Sequence, residues 1–154
     1  MEIHASTEQE ERHWNDFVKK HYPPVGAFMQ SFEWGEFQKS LGRSVVRYLV
    51  IEEGVTIAAF SLAYYTLPFS LQYAYSPRGP VFKSSIGIAK QWRIFQTIRS
   101  WVQKINPSYF LFDSSRQLFL IRNQKYQEVF IFRDTTFNQN IILPYRSMYL
   151  NQKF

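Results

Sequence analysis

The stretch that decides the fold is FMQSFEWGEFQKSLGRSVVRYLVIEEG, Phe28–Gly54. It contains two periods. From Ser31 to Leu41 the pattern is helical: Ser31 is a side-chain acceptor for the first turn, and Gly42 suits the left-handed position after the last. Glu33 and Glu36 sit toward the positive end and Lys39 toward the negative end, as the helix dipole favours. Trp34, Phe37 and Leu41 are expected to share the buried face. From Val45 the residues turn β-branched and aromatic, Glu53-Gly54 reads as a tight turn, and Thr56–Thr66 repeats the pattern, which predicts a hairpin.

Working outward, Thr7-x-x-Glu10 is a capping-box pattern, and Trp14, Phe17, Val18 and His21 follow at helical spacing. That predicts one amphipathic helix of three to four turns, stopped by Pro23-Pro24. Leu71–Tyr75 reads as a third strand ended by Pro77. Ile88, Trp92, Phe95, Ile98, Val102 and Ile105 mark a long helix over about Gly87–Asn106. Tyr109–Phe112, Val129–Phe132 and Ile141–Leu143 read as short strands. Between them, Leu118, Ile121 and Tyr126 fit either a helical face or loop contacts. The order helix, helix, three strands, helix, strand, uncertain helix, strand predicts one α/β domain over residues 1–154. Its layers are a sandwich with a mixed, largely antiparallel sheet, similar to the acetyltransferase-like (GNAT) fold.

The composition limits the chemistry. The chain has 154 residues, no cysteine, three histidines and a formal charge of +6. Without cysteine there are no disulfides, zinc–thiolate sites or cysteine nucleophiles. His4, His13 and His21 lack the neighbours of a metal site, so none is expected. No run reaches the ~20 apolar residues of a membrane helix, and the polar, acidic amino terminus is not a secretory signal. The compartment expected is the cytoplasm, with the inner face of the membrane as a place of work. The positive charge favours anionic partners. Lys90, Arg93, Thr97 and Lys104 fall on one side of the long helix, either as a solvated face or as a contact for nucleic-acid phosphates. No Gly-rich phosphate loop occurs, which disfavours coenzyme A, and no cofactor is expected.

Two segments carry a resemblance. One is Phe28-Met-Gln-Ser-Phe-Glu-Trp-Gly-Glu-Phe-Gln-Lys39, followed by Leu41-Gly42-Arg43. The other, about 35 to 40 residues further on, is Tyr73-Ala-Tyr-Ser-Pro-Arg-Gly-Pro-Val81. Together they resemble the Fem family of aminoacyltransferases, which build the interpeptide bridges of peptidoglycan. The resemblance implies transfer of an amino acid from aminoacyl-tRNA to a side-chain amine of a muramyl-peptide precursor, nucleotide- or lipid-linked, without coenzyme A. It also implies a second GNAT-like domain, since Fem transferases look like two such domains in tandem; Asn140–Pro144 resembles the strand leading into it. The substrate-binding residues it suggests are Trp34, Gln38, Lys39, Tyr75, Arg78 and Gly79. Lys39, or Gln38 if the alignment slips by one, would face the precursor's phosphates. Gly79 would let the backbone approach a ligand, and Arg78 would be presented on a turn stiffened by Pro77 and Pro80. Tyr73 and Tyr75 would point to one face of their strand, packing against the long helix or lining a pocket. The family often has an acid where this chain has Lys83, and no catalytic residue is assigned. A non-catalytic muramyl-peptide-binding module and an acyl-CoA-dependent acetyltransferase remain as alternatives.

Overall fold

The computed structural model describes residues 1–22, 27–66 and 72–105, together with the backbone of Tyr109–Asp113, Leu118–Arg122 and Val129–Ile131. In chain order the elements are β1 (Glu2–Ala5), α1 (Glu8–Arg12), α2 (Trp14–His21), a 3-10 turn (Ala27–Gln30) and α3 (Phe32–Ser40). Then follow β2 (Ser44–Glu52), β3 (Val55–Thr66), β4 (Gln72–Pro77), β5 (Val81–Phe82), α4 (Ile88–Val102), β6 (Tyr109–Asp113), β7 (Leu118–Arg122) and β8 (Val129–Ile131). They build one sheet in the order β1-β2-β3-β4-β6-β7-β8, with β5 also paired to β3. Among the described residues the pairings are antiparallel except β4 with β6, the two strands that α4 connects. The α/β sandwich with a largely antiparallel sheet is as the sequence predicts.

Helices cover both faces, which is why β2 and β3 are apolar almost throughout. On one face Tyr48, Val50, Ala58, Phe60, Leu62 and Ala74 meet Ile94, Phe95, Ile98 and Val102 of α4. On the other, Leu49, Ala59 and Val81 meet Trp14, Val18 and Tyr22, while Val45 and Ala63 meet Trp34 of α3. The hairpin turn has Glu53 at φ 52° and Gly54 at φ 74°, the paired left-handed geometry that matches strand twist. Gly42, at φ 78°, takes the left-handed position expected after α3.

Several expectations are corrected. The first helix is two: Thr7 and Glu10 form the capping box, but the chain turns at His13 before α2 starts. Helix α1 buries no residue. On α3, Trp34 and Gln38 point inward, whereas Phe37 and Leu41 are 54% and 53% exposed. The sheet beneath that helix presents a guanidinium and a phenol rather than hydrocarbon alone, and the inward face is polar to match. The segment that read as helix or loop contains a strand, β7. Strand β1 and the 3-10 turn carry no strong sequence pattern and were not foreseen. The strand expected at Ile141–Leu143 lies outside the described residues.

The guanidinium is Arg47, 1% exposed in the middle of β2. Nη1 donates to Glu11 of α1 at 3.1 Å, and Nη2 donates to the Phe32 carbonyl at 2.8 Å and to Glu36 of α3 at 3.0 Å. It lies over the Phe32 ring, 4.2 Å from the centroid. Helix α3 comes this close because residue 35 is glycine: a Cβ there would stand 2.4 Å from Nη2. Gly35→Ala is therefore expected to destabilise the domain by about 1–3 kcal/mol, the usual cost of overpacking, as a lowered urea midpoint at unchanged slope.

His21 links α2 to the loop before α4. Its Nδ1 accepts from the Ser84 backbone N–H at 3.2 Å, so that nitrogen is unprotonated, and it lies 3.1 Å from the Ser84 hydroxyl. Burial, then Lys20 and Lys83, hold its pKa below the ordinary 6.5. The folded state thus binds fewer protons than the unfolded chain as the pH falls. The His21 contribution is complete above pH 6.5 and declines as pH drops from there through the folded value. His21→Gln, which keeps an acceptor for Ser84, should flatten the stability–pH slope of urea titrations between pH 7 and 5, while the wild type loses stability there.

Candidate substrate-binding site

The two segments that carry the family resemblance meet where β4 parts from β3. Along that pair Tyr65 faces Tyr73 and Ala63 faces Tyr75. Continuing the register would set Ser61 opposite Pro77, but proline has no N–H to donate. Pairing on β3 resumes at Ala59 with Val81 of β5. Two extra residues are therefore accommodated between Pro77 and Val81, and the chain bulges outward at Arg78-Gly79-Pro80.

Gln30, the last residue of the 3-10 turn and 0% exposed, fills the gap. Its Oε1 accepts from the Ser61 backbone N–H at 3.0 Å and from the Ser61 hydroxyl at 3.2 Å. Its Nε2 donates to the Pro77 carbonyl and, at 3.3 Å, to the Ser76 hydroxyl. Its own carbonyl accepts from the Trp14 indole at 2.6 Å. Sequence reasoning placed Gln30 within a motif but gave it no role. The available signal was a glutamine just before the helix-capping Ser31, at a distance from the proline-rich turn that only tertiary structure closes.

Gly79 lies against this group: a Cβ on it would be 2.3 Å from the Ser76 hydroxyl and 2.9 Å from Gln30 Nε2. The close approach that requires glycine is thus to the protein's own interior. Arg78, next to it, is half-buried and has φ 54°. That left-handed conformation costs a non-glycine residue about 1 kcal/mol or more. Among the described residues nothing pairs with its guanidinium.

Of the other candidates, Trp34 packs on Val45, Ala63 and Tyr65. Gln38 is buried, and its Oε1 accepts from Arg43 Nη1 and, at 3.2 Å, from the Tyr65 hydroxyl. Both shape the site from beneath. Lys39 is exposed, with Nζ 2.9 Å from Glu36 Oε1. The hydrogen bond from Lys39, then that from Arg47, keeps the Glu36 carboxyl below its ordinary range. Lys39 therefore has a counterion, but an exposed pair of this kind contributes only about 0–1 kcal/mol, and a phosphate could displace it.

Tyr73 and Tyr75 do share a face, but not the one toward α4. Ala74 between them joins the α4 core, so the tyrosines lie on the side of α1–α3. Tyr73 stacks on Tyr65 at 4.6 Å and 9°, and Arg43 caps the Tyr65 ring at 4.5 Å from its centroid. Burial raises the Tyr65 pKa, with Arg43 opposing. Half-buried Tyr73 and Tyr75 thus form a strip along β4, with Arg43 toward one end and the Arg78 turn at the other. Four residues at ~3.3 Å each put Tyr73 and Pro77 about 13 Å apart along β4.

On the α4 stripe, Lys90 is paired with Glu52 and Thr97 donates to the Arg93 carbonyl, while Arg93 and Lys104 are exposed. Among the described residues no cluster of metal-binding side chains forms, and no helix is long and apolar enough to cross a membrane.

Arg78→Gly gives a direct test of strain at this turn. It is expected to leave stability unchanged or raise it by up to about 1 kcal/mol, read as thermal midpoint, whereas a structural arginine would make the same change destabilising.

No protein-family model and no curated protein matches this sequence. Solved structures do. The chain is similar to FemX, with TM-score 0.57 and 21% identity, over 76% of this chain and 28% of that one. It therefore spans less than a third of the length of FemX. It is also similar to a predicted acetyltransferase from Clostridium acetobutylicum, solved with acetyl-CoA (TM-score 0.48, 10% identity, 74% of this chain and 80% of that). A third match is the aminoglycoside 6'-N-acetyltransferase of Acinetobacter haemolyticus (0.45, 12%, 75% and 80%). The fold is like that of the matched part of FemX.

Proposed function

We propose that this chain is the first of two tandem GNAT-type domains of a Fem-type aminoacyltransferase. It would bind a muramyl-peptide precursor, nucleotide- or lipid-linked, and with its second domain transfer an amino acid to it from aminoacyl-tRNA. In that reaction the stem-peptide amine attacks the aminoacyl ester carbonyl. An amide bond forms, the ester C–O bond breaks, and the amine proton leaves with the tRNA ribose oxygen. No acyl-CoA is required.

The observation that carries this reading is the meeting of the two resemblance segments. Gln30 of the first holds the turn of the second, and the turn presents an arginine that has no partner among the described residues, beside a strip of tyrosines. The Fem-like fold supports it. Arg78 at one end and Arg43 at the other suit the precursor's diphosphate and its peptide carboxylate, while Tyr73 and Tyr75 offer ring faces to its sugar and peptide. Work at the inner face of the membrane fits a lipid-linked acceptor.

The assay is transfer of labelled amino acid from charged tRNA to a nucleotide-linked muramyl pentapeptide, by this chain alone and together with a second Fem-type domain. Label in the precursor, dependent on the second domain and lowered at least about tenfold by Arg78→Ala (about 1.4 kcal/mol of binding), is the expected result. Precursor binding without any label transfer would leave a binding module. Acetyl transfer from acetyl-CoA, with no response to charged tRNA, would replace the proposal by the acetyltransferase reading.

A further inference from the structure

Beyond the ligand groups stands the question of what fixes Arg78. We propose that Gln30 is the positioning residue of the anion site: its side-chain amide stands in for a missing rung of the β3–β4 ladder and so sets where the arginine turn sits. This inference rests on the reading of Arg78 as a ligand group.

A regular antiparallel rung at Ser61 and Pro77 would need each residue to offer an N–H and a C=O. Pro77 offers only C=O, so the Ser61 N–H and the Pro77 carbonyl would have to meet while the chain bends away. Instead one primary amide is interposed, taking the Ser61 N–H on its oxygen and giving its own N–H to Pro77. A primary amide has an acceptor and a donor on one planar group, the same pairing a peptide unit offers. Ser76 and Ser61 take the remaining hydrogen-bond capacity through their hydroxyls. Gly79 closes over the amide with no room for a side chain. The residue on each side of Arg78 is therefore held by Gln30: Pro77 by a hydrogen bond, Gly79 by contact. The Trp14 indole fixes the Gln30 backbone in turn. The strain at Arg78 persists because its neighbours are pinned.

The amide has a chemical signature that a space-filling role lacks. Glutamate has the same shape. Ionised, it accepts from Ser61 but repels the Pro77 carbonyl; protonated, it donates again and mimics the amide. Burial raises the pKa of such a carboxyl, so Gln30→Glu becomes a pH-switched version of the site.

The test measures binding of a nucleotide-linked muramyl pentapeptide by calorimetry at pH 6 and pH 8.5, in wild type, Gln30→Glu and Gln30→Met. In parallel, the Arg78 side-chain Nε–Hε resonance, assigned by its loss in Arg78→Lys, is followed by NMR. Gln30→Glu should bind at least roughly tenfold more weakly than wild type at pH 8.5 and recover toward it at pH 6, with the Arg78 resonance moving in step. In the Arg78→Lys background the Gln30 change should have little further effect on affinity. Gln30→Met, which keeps the volume but neither hydrogen bond, should bind weakly at both pH values and decides the matter if the glutamate variant fails to fold. A Gln30→Met protein with wild-type affinity and an unmoved Arg78 resonance would overturn the inference. So would an equal loss in the Arg78→Lys background. If the wild type does not bind the precursor, the proposed function fails by itself. The resonance then still decides positioning: a pH-dependent shift confined to Gln30→Glu upholds it, and a fixed signal ends it.

Discussion

An arginine and a serine face each other across β2 and β3, on the side of the sheet that α1, α2 and α3 cover. Most else on that side follows from having to satisfy them. A buried guanidinium without partners would cost several kcal/mol, and both Nη atoms of Arg47 are met, Nε having no partner among the described residues. Glu11 comes from α1, while Glu36 and the Phe32 carbonyl come from α3, which binds both helices to one strand. Ser61 needs an acceptor for its N–H where the outer strand leaves, and Gln30 supplies it. Arg47 thus orients α3 and Ser61 orients the turn just before it. The helix can sit in only one place, and Gly35 marks how close that place is.

The charges divide along the same line. No carboxylate occurs in the sequence from Gly54 to Phe112, a stretch that holds Arg78 and the whole of α4. The acids before Gly54 include those that neutralise Arg47 and Lys39. Of the candidate cations, Lys39 shares Glu36 and Arg43 is spent on Gln38 and the Tyr65 ring. Arg78 alone of these three has no such partner among the described residues. Under the proposed function an incoming anion would meet Arg78 without breaking a contact of that kind, which ranks it ahead of Lys39, although Lys39 is the more exposed.

Much of this was legible in the sequence, for physical reasons that differ by element. The capping residues Thr7 and Ser31, the turn at Glu53-Gly54 and the existence of α4 are local signals, and each is present; on α4, however, Ile88 and Trp92 are exposed, Ile94 joins the core, and the helix ends at Val102 before Ile105. The inward face of α3 was misread because periodicity counts hydrocarbon, and here the partner surface is polar: Gln38 is buried on Tyr65 while Phe37 and Leu41 are not. The side taken by Tyr73 and Tyr75 could not be read from alternation, which says only that they agree with each other. It took the placement of Ala74 against α4 to orient them. The role of Gln30 depends on Pro77, 47 residues away, and no window along the chain contains both.

Local rules are broken at three neighbouring points: a proline where a strand should pair, a left-handed arginine, and a glutamine with its side chain wholly buried. Each alone is unfavourable. Together they are nearly self-consistent, since the glutamine bridges the Ser61 N–H and the Pro77 carbonyl where the strands part, and its polarity is satisfied by the strands it separates. What remains uncompensated is the strain at Arg78, which a glycine there would relieve. Strain of this kind clusters at ligand sites, and under the proposed function it is accounted for by an anion held where β4 parts from β3.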